Sequence, residues 1–333
     1  ESPTTSLTVA QIQSKFRGTE RRSESQDAVI VEESDPAGNL KAKEDPASGH
    51  SFPEPPEFDT DGKTRLHMVF STDCSAYQHW QSYLLFFSAL KVGQPGRVTR
   101  IASGCSDEES AEAKAWHEEH VKNTMSDRFG LHFTPHFSSV MKDGTKVRQY
   151  KYFNKPFGLL HWLEHGEGMG VDPTTGKLLD EDLVVILIDP DMILLRPIEA
   201  DFSDEREVIF SDPHNEDPKY RVEHGSPFAQ KYGLGRYWLE LNLTHIAGSD
   251  SPAKLVDAPF ARKFYPAGPP YVATGKDMYS IARKWTEFAP KVHAEFPDLL
   301  AEMYAYSIAA AHLELPHHLV NSLMVSKSKV EEE

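Results

Sequence analysis

The pattern of polar and apolar positions divides the chain near residue 65. Residues 1–62 are rich in Ser, Pro, Asp and Glu and poor in aromatics. Such a stretch buries too little apolar surface to offset the entropy of ordering it, and is expected to be a disordered stem or linker. Ser51–Asp59 (SFPEPPEFD) reads as its stiff, extended end, and Thr8–Phe16 as a short helix. Residues 63–326 are expected to form one domain, with 327–333 a tail.

Within that domain, strand-like and helix-like patterns alternate. Leu66–Ser71 (LHMVFS) reads as a first strand. Ala76–Val92 places Tyr77, Trp80, Leu84 and Phe87 at helical spacing and stops at Gly93 and Pro95, as a helix should. Trp80, Phe86 and Phe87 are expected in the core. Val98–Ala102 reads as a second strand. Ser106 followed by three acids reads as a helix start, because acids favour the first turn. Phe153–His165 predicts a helix capped by Asn154 with Pro156 in its first turn. Leu183–Ile188 is a run of six apolar residues, the mark of a strand buried on both faces. Glu207–Phe210 reads as a short strand, Asp212–Tyr237 as a loop-rich insertion, and Lys276–Phe288 and Leu299–Leu313 as helices. This order predicts an α/β fold, a mostly parallel sheet with helices on both faces.

The buried run ends in Asp189-Pro190-Asp191. In an open α/β sheet, side chains at strand ends project into the crevice where ligands bind. Two hard carboxylates there suit Mg²⁺ or Mn²⁺, which usually completes its shell with substrate phosphates. A strand running into Asp-x-Asp is how many glycosyltransferases hold a nucleotide-sugar diphosphate. Two other readings stand beside this one. Aspartates also cap strands as plain turn residues. Phosphatases of the haloacid-dehalogenase type use a strand-ending Asp as nucleophile, but they place it early in the domain and add a later acidic pair, and this chain has no adjacent Asp-Asp.

Composition narrows the partners. The chain has 333 residues and a net charge of −16, which disfavours nucleic acid or an anionic membrane as main partner. A nucleotide sugar is also an anion, so a metal or local Lys/Arg must offset the repulsion. No run reaches the length of a membrane-spanning helix and no signal-peptide core is seen. The first residue is Glu1, so membrane attachment is expected only through a targeting segment absent from this chain. Asn242-Leu243-Thr244 is a glycosylation sequon. Cys74 and Cys105 follow the first two strands, where a disulfide and two reduced thiols are both open.

Four blocks in order carry a family resemblance: FSTDCSAYQHWQ (Phe70–Gln81) with GQPGRVTRIASGC (Gly93–Cys105); NKPFGLLHWLEH (Asn154–His165); VVILIDPDMILLRPI (Val184–Ile198); and GPPYVATGKDM (Gly268–Met278) with LLAEMYAYSIAAAHLELPHHL (Leu299–Leu319). The chain resembles the plant and algal peptide O-glycosyltransferases, which include hydroxyproline O-arabinosyltransferases and peptidyl serine α-galactosyltransferases. The resemblance spans roughly residues 65–320. It implies a GT-A-like (Rossmann-like) fold, a UDP-sugar donor, a Mn²⁺ or Mg²⁺ ion, a polypeptide acceptor with a Ser or hydroxyproline hydroxyl, and the Golgi or endoplasmic-reticulum lumen. The chain departs from the pattern in its Pro190, which stiffens the turn, and in ending soon after Ser326. A transferase acting on glycans or lipids, and a non-catalytic nucleotide-sugar or carbohydrate binder on the same fold, are the rivals.

Residue roles follow as expectations. Asp191 is the first choice for metal ligation, with Asp189 on the donor ribose or on the ion. His317 is the preferred third ligand, ahead of His318 and His312, since neutral imidazole suits Mn²⁺. Ser71, Thr72 and Asp73 end the first strand, where base and ribose would lie. Lys155, near a helix N-terminus, could meet phosphate. Glu302 is a carboxylate among apolar neighbours, which is costly unless it is paired or catalytic. Gly268 begins a Gly-Pro-Pro that gives a tight backbone pass near the donor sugar or an ordinary turn.

Overall fold

The computed structural model describes residues 56–142, 145–204, 206–212 and 219–325, with 139–142 and 145–149 described by backbone alone. The expected helix at Thr8–Phe16 and most of the stem lie outside these residues. Residues 56–62 pack on the fold: the Gly96 amide donates to the Pro56 carbonyl, Phe58 bridges Arg65, and Asp59 is buried.

Strands β1 (Leu66–Thr72), β2 (Arg97–Ser103), β3 (Phe129–Thr134), β6 (Val184–Ile188), β7 (Phe228–Lys231), β8 (Ala267–Thr274) and β9 (His318–Val320) form one seven-stranded sheet in the order β3-β2-β1-β6-β8-β7-β9. β8 runs antiparallel to β6 and β7, and the other pairings are parallel. β4 (Ser139–Lys142) and β5 (Thr145–Gln149) form a separate hairpin. The expected mostly parallel α/β sheet is therefore what the chain builds.

The helices are α1 (Ala76–Val92), α2 (Asp107–His117), α3 (Asn154–His165), α4 (Leu243–Ala247), α5 (Ala258–Phe264), α6 (Gly275–Glu295) and α7 (Ala301–His312). Alternation along β1 separates two cores. Met68 and Phe70 join Phe86 of α1, Val98, Phe129 and Ile188 on one face. Val69 joins Trp162 of α3, Trp285 of α6 and Tyr306 of α7 on the other. Phe86 stands edge-on to Phe70 at 5.3 Å and stacks on Phe129 at 5.0 Å. Burying each such ring contributes roughly 1.5–3 kcal/mol.

Local signals explain several boundaries. Ser75 caps α1 by accepting from the Gln78 amide, and Gly93 ends it at φ 67°, a left-handed turn that only glycine adopts without strain. Ser106 and Glu109 form the reciprocal capping box of α2.

Three expectations are corrected. Asn154 does not cap α3. A 3₁₀ turn, Lys151–Phe153, leads in, and the Asn154 side-chain oxygen Oδ1 accepts instead from the Phe137 amide. Glu207–Phe210 is not a strand, only a single bridge from Phe210 to Val320. Asp212–Tyr237 is loop-rich as expected, and within it Phe228–Lys231 forms β7, too short and mixed in polarity to be read from sequence. Trp80 and Phe87 are exposed (59% and 40%), and of the expected aromatic cluster Phe86 alone is core. The helical stripe is real, but α1 turns its Trp80 side to solvent.

Candidate functional site

The chain passes from β1 to β2 on one side of the sheet, while β6 pairs with β1 on the other. Between β1 and β6 the strand order reverses, and a crevice opens at the strands' C-terminal ends, as such folds dictate. The register pairs Phe70 with Ile188, so Ser71, Thr72 and Asp73 emerge beside Asp189, Pro190 and Asp191. All six line one cleft of about 320 Å³ with Lys155 from the first turn of α3. Six of the expected site residues therefore meet: Ser71, Thr72, Asp73, Lys155, Asp189 and Asp191.

The Lys155 ammonium lies 2.7 Å from Asp189 Oδ1 and 2.9 Å from Glu302 Oε1. Its side chain is 12% exposed and that of Glu302 only 3%. Burial disfavours the ammonium, but the two carboxylates together outweigh it, and its pKa is raised. Burial pushes the Glu302 carboxyl up while Lys155 pulls it down. Burial is the larger effect and leaves the carboxyl raised on balance, in a buried pair with Lys155 at 2.9 Å. Its other oxygen, Oε2, has no hydrogen-bond partner among the described residues. Glu302 does not line the cleft; it stands one layer behind Lys155.

The β1 end is fixed by a residue that sequence reasoning missed. Arg100 is 1% exposed and donates from Nε to Thr72 Oγ1 and from Nη2 to the Asp73 carbonyl, both at 2.8 Å. Its Nη1 meets His79 Nδ1, also at 2.8 Å. Burial lowers its pKa to about 10, with Asp73 opposing, so it remains a cation at neutral pH. Burial and then Arg100 lower the His79 pKa, and His79 Nδ1 faces the Arg100 donor. The lone charge inside the second strand's apolar run was the available signal. Cys74 and Cys105 are bonded, with Cα atoms 5.4 Å apart, which closes the question that spacing left open. Tyr77, Gln78, Gln81, Lys151 and Tyr152 also line the cleft unforeseen. Gln78 and Gln81 share a face of α1 one turn beyond the Ser71–Asp73 end.

Two expected residues lie elsewhere. His317 is 1% exposed and borders a separate depression of about 20 Å³. Its Nδ1 donates to the Leu315 carbonyl, leaving Nε2 to accept from the Tyr306 hydroxyl at 2.8 Å. Burial lowers its pKa to about 3. Both nitrogens of this neutral ring are occupied. Gly268 is buried in β8, where a Cβ would meet the Tyr232 ring at 2.1 Å. The tight pass it provides is against Tyr232, not against the cleft.

The cleft carries more acid than base, so an anionic diphosphate needs a further cation. Asp191 is exposed, with neither a hydrogen bond nor an ion pair among the described residues. With Asp189 it supplies two hard oxygen donors. Among the described residues no group of three or more His, Cys, Asp or Glu could hold an ion by itself. The pair fits a dication that takes its remaining ligands from phosphate and water.

Fold and cleft thus define an α/β protein with a ligand crevice at a topological switch point, paired carboxylates on its rim and a buried ammonium behind them. No protein-family model matches the chain. Two curated relatives, both named peptidyl serine alpha-galactosyltransferase, are similar to it. One, from Arabidopsis thaliana, is 27% identical over 266 residues, 78% of this chain and 28% of the relative. The other, from Chlamydomonas reinhardtii, is 25% identical over 275 residues, 77% and 31% respectively. The chain spans less than a third of either relative's length. The chain is thus similar to proteins named peptidyl serine alpha-galactosyltransferase, in line with the family resemblance expected from its sequence.

Proposed function

We propose that this chain transfers a sugar, galactose first among the candidates, from a UDP-sugar to a serine hydroxyl of a polypeptide. The observation that carries the reading is the convergence of Ser71–Asp73, Lys155 and Asp189–Asp191 on one cleft. The relatives' printed names supply the serine acceptor and the galactosyl group.

In this reading Ser71, Thr72 and Asp73 face the base and ribose, with Arg100 holding that turn in place. Lys155 meets the diphosphate. Glu302 acts through Lys155 as a positioning residue rather than touching the acceptor. Asp189 and Asp191 would hold Mn²⁺ or Mg²⁺, which when bound neutralises the leaving diphosphate. Tyr77 and Tyr152 offer the acceptor apolar edges at the cleft mouth. The setting we propose is the lumen of the Golgi or endoplasmic reticulum, where a Cys74–Cys105 disulfide persists.

The test incubates the full chain with Ser and hydroxyproline peptides and UDP-galactose, UDP-arabinofuranose or UDP-glucose, with and without Mn²⁺, reading products by mass spectrometry. The expected product is a hexosylated Ser peptide, with turnover falling by roughly a hundredfold or more in Asp191→Ala, the scale set by loss of an electrostatic stabiliser. Undiminished transfer by Asp191→Ala after chelation would remove the metal role. UDP binding without transfer to any acceptor would leave a binding protein on this fold.

A further inference from the structure

Lys155 stands where an incoming dication would have to compete. Its ammonium contacts Asp189 at 2.7 Å, and Asp189 and Asp191 are the carboxylates at the end of β6, while the cleft's third, Asp73, accepts from Ser75. It cannot withdraw freely, since Glu302, 3% exposed, holds it from behind at 2.9 Å. Leaving Glu302 unpaired would strand a buried charge. A dication on Asp189 would therefore sit beside a fixed positive charge in a poorly solvated site, where like charges repel strongly. The protein also lacks a full shell: among the described residues no third His, Cys, Asp or Glu joins the pair. A diphosphate removes both obstacles. It supplies oxygen ligands to the ion, and its negative charge offsets the repulsion between ion and ammonium.

We propose that Lys155 is a resident counter-cation that competes with the divalent ion for Asp189, so that the ion binds tightly only together with the donor's diphosphate. This inference rests on the reading of Asp189 and Asp191 as the donor and metal site. It makes metal and nucleotide strongly coupled ligands. Coupling is reciprocal, so UDP raises Mn²⁺ affinity by the factor by which Mn²⁺ raises UDP affinity. It also assigns Glu302 a task, keeping the ammonium on Asp189 rather than letting it swing to solvent.

The experiment measures Mn²⁺ binding by electron paramagnetic resonance and calorimetry, without activity, using the full chain with and without UDP. Lys155→Met removes the competitor but strands Glu302. The double variant Lys155→Met/Glu302→Gln removes both charges and preserves the local balance, and thermal unfolding checks that each variant folds. In the wild type, Mn²⁺ alone is expected to bind weakly and Mn²⁺ with UDP at least about tenfold tighter. In the double variant, Mn²⁺ alone should bind about tenfold tighter than in the wild type, and the gain from UDP should shrink to about threefold or less. If wild type binds Mn²⁺ with UDP but the double variant shows no gain for Mn²⁺ alone, the competition is overturned while the donor site stands. If neither Mn²⁺ nor UDP binds in any combination, the donor-site reading fails and this inference falls with it.

Discussion

Gly268 shows how a single missing side chain can set the position of a functional neighbour. A Cβ built on it would lie 2.1 Å from the Tyr232 ring, well inside contact distance. Tyr232 donates its hydroxyl to Met324 Sδ at 3.2 Å. Its pKa is pushed up to about 12, first by burial and then by Asp189. Gly268→Ala should force the ring outward and cost about 1–3 kcal/mol, the usual range for overpacking. Urea unfolding of Gly268→Ala, Tyr232→Ala and the double variant measures this. The two changes should couple by about 0.5–3 kcal/mol, because removing the ring removes the clash. Simple additivity would show that the two do not press on each other. None of this was legible in Gly-Pro-Pro, which signals a tight pass but not what passes.

The Cys74–Cys105 bond ties the turn after β1 to the turn after β2 across 31 residues. Arg100 braces the same turn from beneath through Thr72 and Asp73. Cys74→Ser or Cys105→Ser should lower unfolding free energy by roughly 3–4 kcal/mol, on the chain-entropy scale for a loop of that length. It should also weaken UDP binding if the Asp73 turn serves the donor, which thermal shift with UDP would read. An unchanged melting temperature would mean that the bond contributes nothing to this end of the sheet. At this scale the sequence was most readable where local rules acted alone. α1 runs from Ala76 to Val92, as its stripe, Ser75 and Gly93 dictate. Asp189 and Asp191 reach the cleft because β6 is buried throughout and must end at its rim. Failures came where partners distant in sequence decided the outcome. β7 and β9 are short segments that become strands only by pairing with each other and with β8. Asn154 looked like a cap until Phe137, 17 residues earlier, claimed its side chain. The reach of Lys155 to both Asp189 and Glu302 depends on three elements that no local pattern relates.

For the molecule as a whole, buried histidines set the response to acid. His67 and His317 are 5% and 1% exposed, and burial lowers both pKa values to about 3. His67 bonds Thr99 Oγ1 at 2.8 Å and lies edge-on to Trp162 at 4.6 Å, so nothing beside it welcomes a proton. The unfolded chain protonates these rings near pH 6.5, and the folded chain does so only near pH 3. Between those values the unfolded state binds more protons, so stability falls as pH drops and is fully present above about 6.5. From pH 7.5 to 5.5 each ring should cost about 1.4 kcal/mol. Asp59 opposes them. Burial raises its carboxyl to about 6, so it takes up a proton in the folded state first and adds roughly 0.8 kcal/mol over the same interval. For these three groups the net loss is about 2 kcal/mol, with the slope steepening as pH falls below 6.5. Urea midpoints at half-unit pH intervals would trace it. His67→Gln, which keeps a group able to bond Thr99 but cannot titrate, should remove about 1.4 kcal/mol, roughly two-thirds of that net loss. A slope that ignores this substitution would mean that His67 charges as readily in the fold as outside it.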